Sequence, residues 1–365
     1  MLFACSSPGS NASPSRSGSS PGGAPNPAAS KAADLRTSLD VLLGEQVMIV
    51  AKESAAAVNH SEEYSGYTTL LTINDNDLRD LMRSAFGDTA AAKLWQSWGA
   101  ENSYLVDYAI GVVTHNQTKA DGASSGLVNT FVPQFAELVT TLTQLPQDSI
   151  SQLMSQQVLE MKLVIDDEFA HNYAAAYTDL HTAYAQSRRV GDALAPHIAQ
   201  RFPDKFPGDP AAQQVDSRVS LSTLFQENAY LSTMTTDSIA AGRGSEKAAA
   251  ANALAASAAA LGKALGTVLG NAAATRFDQV WAARDVALAG YASGGDAATR
   301  QALTQTFVSD FSSLAQVPGG LLADQVDATV RVIDDQRGKS MTPLAGDDRA
   351  AASAMQPIAD ALTEG

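Results

Sequence analysis

A long internal repeat constrains the fold of this 365-residue chain more than any other feature of the sequence. Several segments of the first half return in the second half in the same order. The matching pairs are LDVLLGE at 39–45 with LSTLFQE at 221–227, the segments that end at Trp98 and at Trp281, TFVPQFAEL from Thr130 with TFVSDFSSL from Thr306, and VIDD at 164–167 with VIDD at 332–335. Ordered matches of this kind are typical of a tandem duplication. We therefore predict two modules, at 31–206 and 216–365, joined by a linker at 207–215.

Each module has the apolar spacing of a helical bundle. Apolar residues recur at steps of three and four, as in Leu35, Leu39, Leu42 and Ile49, which places them on one face of a helix. The chain is rich in alanine and only 6% aromatic, a balance that favours helix over sheet. We predict an all-α fold with four principal helices and some shorter ones in each bundle. In the first module we expect helices near 35–58, 68–85, 88–115, 124–143, 147–168 and 172–200.

The first 30 residues resemble the start of a bacterial lipoprotein. The sequence LFAC, which ends at Cys5, is similar to a lipobox, and it leads into a stretch rich in Ser, Gly and Pro that predicts a disordered tether. Lipidation of Cys5 implies an extracytoplasmic protein anchored to the cell membrane, with the membrane as a partner. The alternative is an accidental cysteine in a disordered tail, because Phe3 is larger than the residue usual at that place.

The charge and the cysteine count argue against several functions. A single cysteine rules out an intramolecular disulfide and a metal site of several thiolates. A net charge of -15 argues against a nucleic-acid partner, because phosphate binding needs a basic face. The sequence contains neither a glycine-rich phosphate loop nor a Ser/His/Asp pattern in a strand context. We therefore expect a protein that is not an enzyme.

Three segments, WGAENSYLVDYAIG, LVIDDEFA and HIAQRFPDKF, resemble a family of secreted or lipid-anchored bacterial proteins made of one or two helical bundles. Members of that family usually carry four histidines at fixed places, and a metal role is inferred from those histidines, although no function is assigned. The corresponding places here hold Gln46, Glu101, Gln157 and Gln186 in the first module and Asn228, Arg284, Gln325 and Asp347 in the second. The resemblance implies the bundle fold, and the replacements depart from the family's histidine pattern.

The apolar stripes lead to some of the same positions without the resemblance. Gln46 and Glu101 interrupt stripes near the middle of their helices, while Gln157 and Gln186 lie beside others. We predict one polar layer in each bundle, formed by the four residues named for it above. A buried polar layer is stable when its members hydrogen-bond one another, so a structural network is the leading interpretation. The alternatives are an altered ligand site, which the charge of Arg284 opposes for a cation, and surface exposure of some members.

The VIDD segments suggest a second structural role. Asp166 and Asp334 are expected at helix ends, where a carboxylate is unfavourable unless it has a partner. We predict that each anchors the following turn by accepting hydrogen bonds from its amides or from an arginine such as Arg188 or Arg337. Paired carboxylates in catalysis are the alternative.

A binding module at the cell envelope is the function that these patterns favour, with an unknown envelope protein or a small ligand as its partner. The alternative function is a copper- or iron-binding or ferritin-like bundle. Glu168 and His171 have the Glu-x-x-His spacing of di-iron bundles, which makes them the candidate metal ligands. His181, close to several tyrosines, forms either a small pocket or a packed aromatic face. No cofactor is expected, and a metal ion stays the alternative.

Overall fold

The computed structural model describes residues 26–363, which form helices and connecting turns with no strand among them. The prediction of an all-α fold is confirmed, whereas Cys5 and most of the predicted tether lie outside the described residues. After a 3₁₀ turn at Pro27–Ala29, the first half contains α1 (Lys31–Val58), α2 (Tyr64–Phe86), α3 (Asp88–Val113), α4 (Gln117–Gly126), a π-helical segment at Leu127–Phe131, α5 (Val132–Thr143), α6 (Gln147–Phe169) and α7 (Tyr173–Arg201). The second half contains α8 (Gln213–Ala240), α9 (Gly244–Leu269), α10 (Asn271–Ala292), α11 (Ala297–Leu314), α12 (Gly319–Gly338), α13 (Met341–Ser353) and α14 (Gln356–Thr363).

Most helix ends in the first half fall within a few residues of those expected from the apolar spacing. Five of its helices, α1, α2, α3, α6 and α7, are 28, 23, 26, 23 and 29 residues long, where four principal helices were expected. The segment expected at 124–143 is divided by the π-helical turn. Pro133 follows that turn and has no N–H to donate, so the backbone hydrogen bonds rearrange there.

The same left-handed turn ends corresponding helices in the two halves. The turns after α1, α3 and α6 hold His60, His115 and His171 at φ of 51°, 55° and 55°, and those after α8, α10 and α12 hold Gly242, Gly294 and Lys339 at φ of 70°, 133° and 56°. After α6, for example, the backbone N–H of His171 donates to Glu168 O at 3.0 Å and that of Asn172 to Asp167 O at 2.9 Å. Three of the five histidines are therefore turn residues.

The two halves share one interior. Helix α1 packs on α8, α7 packs on α9, and α13 returns to α2. One continuous apolar cluster contains buried side chains from both halves. At the contact between them, Lys52 Nζ lies 2.5 Å from Asp348 Oδ2, and Asp348 also accepts hydrogen bonds from Tyr67 at 3.0 Å and Thr233 at 2.7 Å. The module boundaries at 31–206 and 216–365 stay a prediction, and the helices on either side of 207–215 belong to the same core.

The two ends of the described chain lie side by side. Asn26 Nδ2 donates to the backbone oxygen of Thr363 at 3.1 Å. Arg218, near the start of α8, donates to the backbone oxygen of Ala28 at 2.8 Å and pairs with Asp360 at 2.9 Å. The 3₁₀ turn, α8 and α14 are thus joined at one end of the molecule.

Helix α9 is long and apolar in composition. Its length and a window of mean hydropathy 1.3 meet the requirements of a membrane-crossing helix. That window is 39% buried, and α9 packs against α7, α8 and α10. Core helices of soluble proteins pass the same test, so composition alone assigns no membrane span to α9.

Candidate functional site

The first-half layer contains a chain of hydrogen-bonded polar side chains. Gln46 Nε2 donates to Asn102 Oδ1 at 2.6 Å and approaches Glu101 Oε2 at 3.5 Å. Asn102 Nδ2 in turn donates to Asp75 Oδ1 at 2.6 Å. All four side chains are buried, and they connect α1, α2 and α3. The chain therefore runs from Asp75 on α2 into the interior at Glu101.

The other two predicted members of that layer are buried but separate. Gln186 Nε2 donates to the backbone oxygen of Leu153 at 3.1 Å, and its Oε1 accepts from Arg189 at 3.2 Å, so it joins α7 to α6. The Oε1 atom of Gln157 has no hydrogen-bond partner within residues 26–363. Of the four predicted members, Gln46 and Glu101 thus belong to one connected group, whereas Gln157 and Gln186 lie apart from it.

Asp75 and Asn102 complete the connected group, and the sequence analysis did not identify them. A signal for Asp75 was present, since Asp75 interrupts an apolar stripe between Leu71 and Leu78 on α2 just as Glu101 interrupts its own. Asn102 directly follows Glu101, and neighbouring positions on a helix usually point to different faces. Only the packing of α3 between α1 and α2 brings both residues inside.

Burial makes the two acids of this group weak acids. It raises the pKa of Glu101 to about 8, against the opposing effect of the hydrogen bond from Gln46. It also raises the pKa of Asp75 to about 7, against the opposing effect of the hydrogen bond from Asn102. Within the described residues Glu101 Oε1 has no hydrogen-bond partner. Near neutral pH this group therefore holds protons that ordinary carboxyl groups have lost.

An apolar cleft leads to this group from the surface. Asp75 is its acidic lining residue, Trp98 lines it beside the layer, and Trp95, which is 41% exposed, lines it as well. Arg79 and Thr143 are its other polar lining residues. The remaining lining side chains are apolar and come from five helices: Leu39, Leu43, Leu78, Met82, Phe86, Leu94, Phe135, Val139, Leu142, Val190, Leu194 and Ile198. The cleft encloses about 550 Å³ with its open mouth, of which about 30 Å³ is wide enough to hold water. It is therefore long and narrow.

The second-half layer is organised around a cation. Arg284 Nη2 donates to Gln325 Oε1 at 3.1 Å, and its guanidinium lies 4.7 Å from the ring centre of Trp281. Trp281 Nε1 donates to Asn228 Oδ1 at 3.0 Å. Burial lowers the pKa of Arg284, and the adjacent Asp285 at 2.9 Å opposes that effect. A guanidinium at this place opposes the binding of any second cation.

Asp347 does not belong to the second layer, which corrects the prediction. It is half-buried and lies 3.7 Å from Arg331. The repeat explains the error. Asp335, the last residue of the second VIDD, interacts with Asp347, and burial together with this neighbour raises the pKa of Asp335 to about 6. Asp167, the last residue of the first VIDD, interacts with Asp179, whose pKa burial and Asp167 raise to about 6. Asp347 therefore corresponds to Asp179 and lies one helix face away from the core.

Asp166 and Asp334 have partners other than those predicted. Asp166 Oδ1 accepts a hydrogen bond from Tyr108 at 2.7 Å, and Asp334 Oδ1 accepts one from Tyr291 at the same distance. Each aspartate thus ties its helix to the third helix of its half and not to the following turn. Asp334 also lies 3.7 Å from Arg300 on α11, so an arginine partner is found for this copy, although not Arg337. The turn after α6 is instead held by the next acid of VIDD, since Asp167 accepts from Asn172 at 3.1 Å.

The structure separates Glu168 from His171. Helix α6 ends at Phe169, so the histidine lies beyond the helix in the left-handed turn and the i,i+3 geometry is lost. Glu168 is buried, whereas His171 is exposed and its Nδ1 contacts Tyr173 Oη at 3.0 Å. Within residues 26–363 no group of three or more His, Cys, Asp or Glu is arranged to hold a metal ion.

The described part of the chain defines an all-α protein with an apolar cleft in its first half. Comparisons with protein-family models, with curated proteins and with solved structures gave no match. The resemblance to lipid-anchored bundle proteins therefore stays a prediction.

Proposed function

We propose that this protein is a non-catalytic binding module whose first half takes a small ligand in the apolar cleft. The observation that carries the proposal is the connection of that cleft, through Asp75, to a buried chain of hydrogen-bonded polar groups. Ligand sites in proteins are mostly apolar clefts in which a few polar groups fix the orientation of the ligand. The cleft has that composition.

The shape and chemistry of the cleft favour a slender ligand with an apolar body and one hydrogen-bond donor. Bulky groups do not fit where only about 30 Å³ is wide enough for water. Asp75 Oδ1 already accepts from Asn102, which leaves Oδ2 to accept from the ligand. A cationic donor favours the ionised carboxyl group, so it recovers part of the cost that burial imposes on Asp75. Straight-chain alkylamines are the simplest probes of this kind.

Titration of the protein with n-hexylamine and 1-hexanol tests the proposal. The chain has three tryptophans, whose indole N–H signals in a ¹H–¹⁵N spectrum report on both halves. We expect saturable shifts at Trp95 and Trp98 and none at Trp281. Asp75→Asn should weaken hexylamine binding at least about fivefold and leave hexanol binding nearly unchanged. The matched control, Glu137→Gln, changes an exposed acid on α5, another helix that lines the cleft, and should leave both affinities unchanged.

Two results contradict this assignment of the cleft. One is the absence of saturable shifts at Trp95 and Trp98 with either probe. The other is an Asp75→Asn protein that binds hexylamine as tightly as the wild type does.

Display at the cell envelope through a lipid on Cys5 is the second part of the proposal. Its support is the lipobox-like LFAC and the Ser/Gly/Pro stretch that follows. The protein produced from its native precursor should partition into the detergent phase of a Triton X-114 extract of the bacterium, and Cys5→Ser should move it to the aqueous phase. Equal partition of the two proteins contradicts the lipid anchor.

Metal binding is the alternative function, and its support is the family resemblance. A metal that binds only the folded protein at 100 times its Kd stabilises it by about 2.7 kcal/mol. The binding-module proposal predicts no saturable rise in Tm when copper, zinc or iron salts are added. A rise that EDTA reverses and that Glu168→Gln abolishes would favour the alternative.

A further inference from the structure

A second concave surface lies between α7 and α9, on the side of the molecule where the two halves meet. We call it the α7–α9 groove. Its walls are largely the methyl groups of Ala174, Ala249, Ala253, Ala256 and Ala260. About 490 Å³ of it is wide enough to hold water, compared with about 30 Å³ in the apolar cleft. Polar side chains from three helices also line it, among them His181, Glu227 and Ser257, with Thr178, Thr182 and Asn252 beside them. The volume falls in the range of small-molecule sites.

The carboxylate of this groove has only half of its hydrogen-bonding capacity used. Glu227 is 1% exposed, and its Oε1 lies 2.6 Å from His181 Nδ1. Its Oε2 has no hydrogen-bond partner among the described residues. A buried carboxylate oxygen without a donor is costly, so this atom is a strong acceptor for any ligand group that reaches it.

In the corresponding acid of the first half, both carboxylate oxygens accept hydrogen bonds. Glu45 occupies the place of Glu227 in the repeated segments LDVLLGE and LSTLFQE. Its Oε1 accepts from Tyr230 at 3.2 Å and from Arg349 Nε at 3.1 Å, while its Oε2 accepts from Asn74 at 2.8 Å and from Arg349 Nη2 at 2.9 Å. An imidazole has no second donor to place on the same carboxylate. The substitution of histidine for arginine beside this acid therefore leaves Oε2 unpaired.

Ser257 is the second unpaired group. It is 3% exposed, and its Oγ has no hydrogen-bond partner within the part of the chain described here. Hydroxyl groups on helices commonly bond to a carbonyl of the preceding turn. Two groove neighbours do so, since Thr178 donates to Ala174 O at 2.9 Å and Thr182 donates to Thr178 O at 3.0 Å. Ser257 is thus free to donate to a ligand, and also to accept.

His181 supplies the third contact. Its Nδ1 is committed to Glu227, and because the side chain is 61% exposed, Nε2 on the other side of the ring is accessible to a ligand. The hydrogen bond to Glu227 raises the pKa of His181, while partial burial and Arg188 oppose that rise. Nε2 donates a hydrogen bond when the ring is protonated and accepts one when the ring is neutral.

These groups select the chemistry of the ligand. An anion is disfavoured because Glu227 Oε2 has no proton to donate to it. An organic cation is disfavoured beside the protonated form of His181. A hydroxyl group donates one hydrogen bond and accepts others, so it matches Glu227, Ser257 and either form of His181 at once. The alanine methyl groups offer a flat apolar wall to the C–H face of a ring.

We propose that the α7–α9 groove binds a polyhydroxylated ligand of the saccharide class, with one hydroxyl donating to Glu227 Oε2 and accepting from Ser257 Oγ. This site is separate from the apolar cleft. It takes a different class of ligand, and its failure would leave the proposal for the cleft intact.

The experiment follows the imidazole signals of His181 by NMR in the purified protein. The signals are assigned by their loss in His181→Gln, and the probes are methyl α-glucoside and maltose, each raised to 100 mM. We expect saturable shifts with millimolar affinity for at least one of the two sugars. Sodium acetate and propylammonium chloride at the same concentrations should give no saturable shift.

Two variants separate ligand contact from a general effect on the helices. Ser257→Ala removes an unpaired hydroxyl, so it should fold normally and weaken sugar binding at least fivefold. Thr267→Ala is the matched control, since Thr267 lies on α9 outside the groove and its hydroxyl is bonded to its own helix, and it should bind sugar like the wild type. Three results overturn the proposal: no saturable shift with either sugar, unchanged affinity in Ser257→Ala, or tighter binding of acetate or propylammonium than of sugar.

Discussion

The two halves of the molecule share a helix order and differ in what fills their centres. In the first half, Leu43 and Leu94 border an open cleft that leads to a group of neutral and acidic side chains. In the second half, the repeat places Phe225 and Phe277 at those positions, and their rings pack on Trp281 with centroids 5.5 Å and 4.9 Å away. The larger side chains occupy the volume that the leucines leave free.

The difference extends to the charge at the centre. Glu101 in the first layer corresponds to Arg284 in the second, and the arginine lies against the face of Trp281. The attraction between a cation and an aromatic ring offsets part of the cost of burying Arg284, whose Nε has no hydrogen-bond partner among the described residues. The first half keeps a buried acid with an unpaired oxygen and therefore gives up stability. The centre of the second half is filled by aromatic packing, and the centre of the first half borders the cleft for which we propose a ligand.

The largest expected effect tests the packing of the second half. Trp281 is fully buried among four phenylalanine rings, so Trp281→Ala should lower the free energy of unfolding by about 3–5 kcal/mol. Trp98→Ala should cost at least about 1 kcal/mol less, because the adjacent cleft lets the surroundings relax and Trp98 Nε1 has no hydrogen-bond partner among residues 26–363. Urea unfolding of both variants measures the difference. Equal losses would mean that the two centres are packed alike.

The second prediction concerns the acid at the first centre. Since burial raises the pKa of Glu101 to about 8, the folded protein keeps a proton that the unfolded chain releases at about 4.3. The unfolded state then binds fewer protons, so the contribution of Glu101 to stability falls as the pH rises from about 4.3 to about 8.

Glu101→Gln removes this penalty. The free energy of unfolding of the variant, relative to that of the wild type, should increase by on the order of 1 kcal/mol per pH unit between pH 5 and pH 8, as measured by urea unfolding at each pH. Gln186→Met changes a residue of the same half that does not titrate, and its offset from the wild type should be constant across that range. A constant offset for Glu101→Gln as well would show that Glu101 is ionised when the protein is folded.

The smallest effects should be equal in the two halves. Tyr108→Phe and Tyr291→Phe each remove one hydrogen bond of 2.7 Å to the first acid of VIDD. We expect each variant to lose about 1 kcal/mol, with the two losses within about 0.5 kcal/mol of each other. Thermal unfolding gives both values. A difference above about 1 kcal/mol would mean that the repeated contact has diverged in strength as the centres have in composition.

Helix positions could be predicted from the sequence because they depend on local spacing. The series Leu35, Leu39, Leu42 and Ile49 fixes one face of α1 wherever that helix packs. The partner of Asp166 could not be predicted in this way. Its hydrogen bond to Tyr108 spans 58 residues, and it depends on how α3 lies against α6. The sequence around Asp166 indicated only nearby amides and arginines as its partners.

The candidate site was predictable in part for the same reason. Glu101 and Gln46 interrupt their own stripes, so each is visible within one helix. The pairing of Glu227 could not be predicted, because its partner His181 lies on a helix of the other half. The stripe that contains His181 predicts a packed aromatic face or a pocket. Neither prediction identifies Glu227, 46 residues away, as the partner of His181. Contacts between the halves are set by their docking, which no single stripe encodes.

The hydrogen bond from Asn26 to Thr363 has a consequence for protein engineering. Because the two ends of the described chain are already adjacent, a short peptide can join them and the chain can be opened elsewhere. Exposed Ala211, in the connection between α7 and α8, is the natural opening, since Phe206 earlier in this connection belongs to the shared core and Arg36 holds the backbone oxygen of Pro210. A circular permutant of this kind begins with α8 and ends with α7. It would reverse the order in which the two halves leave the ribosome while keeping every helix contact.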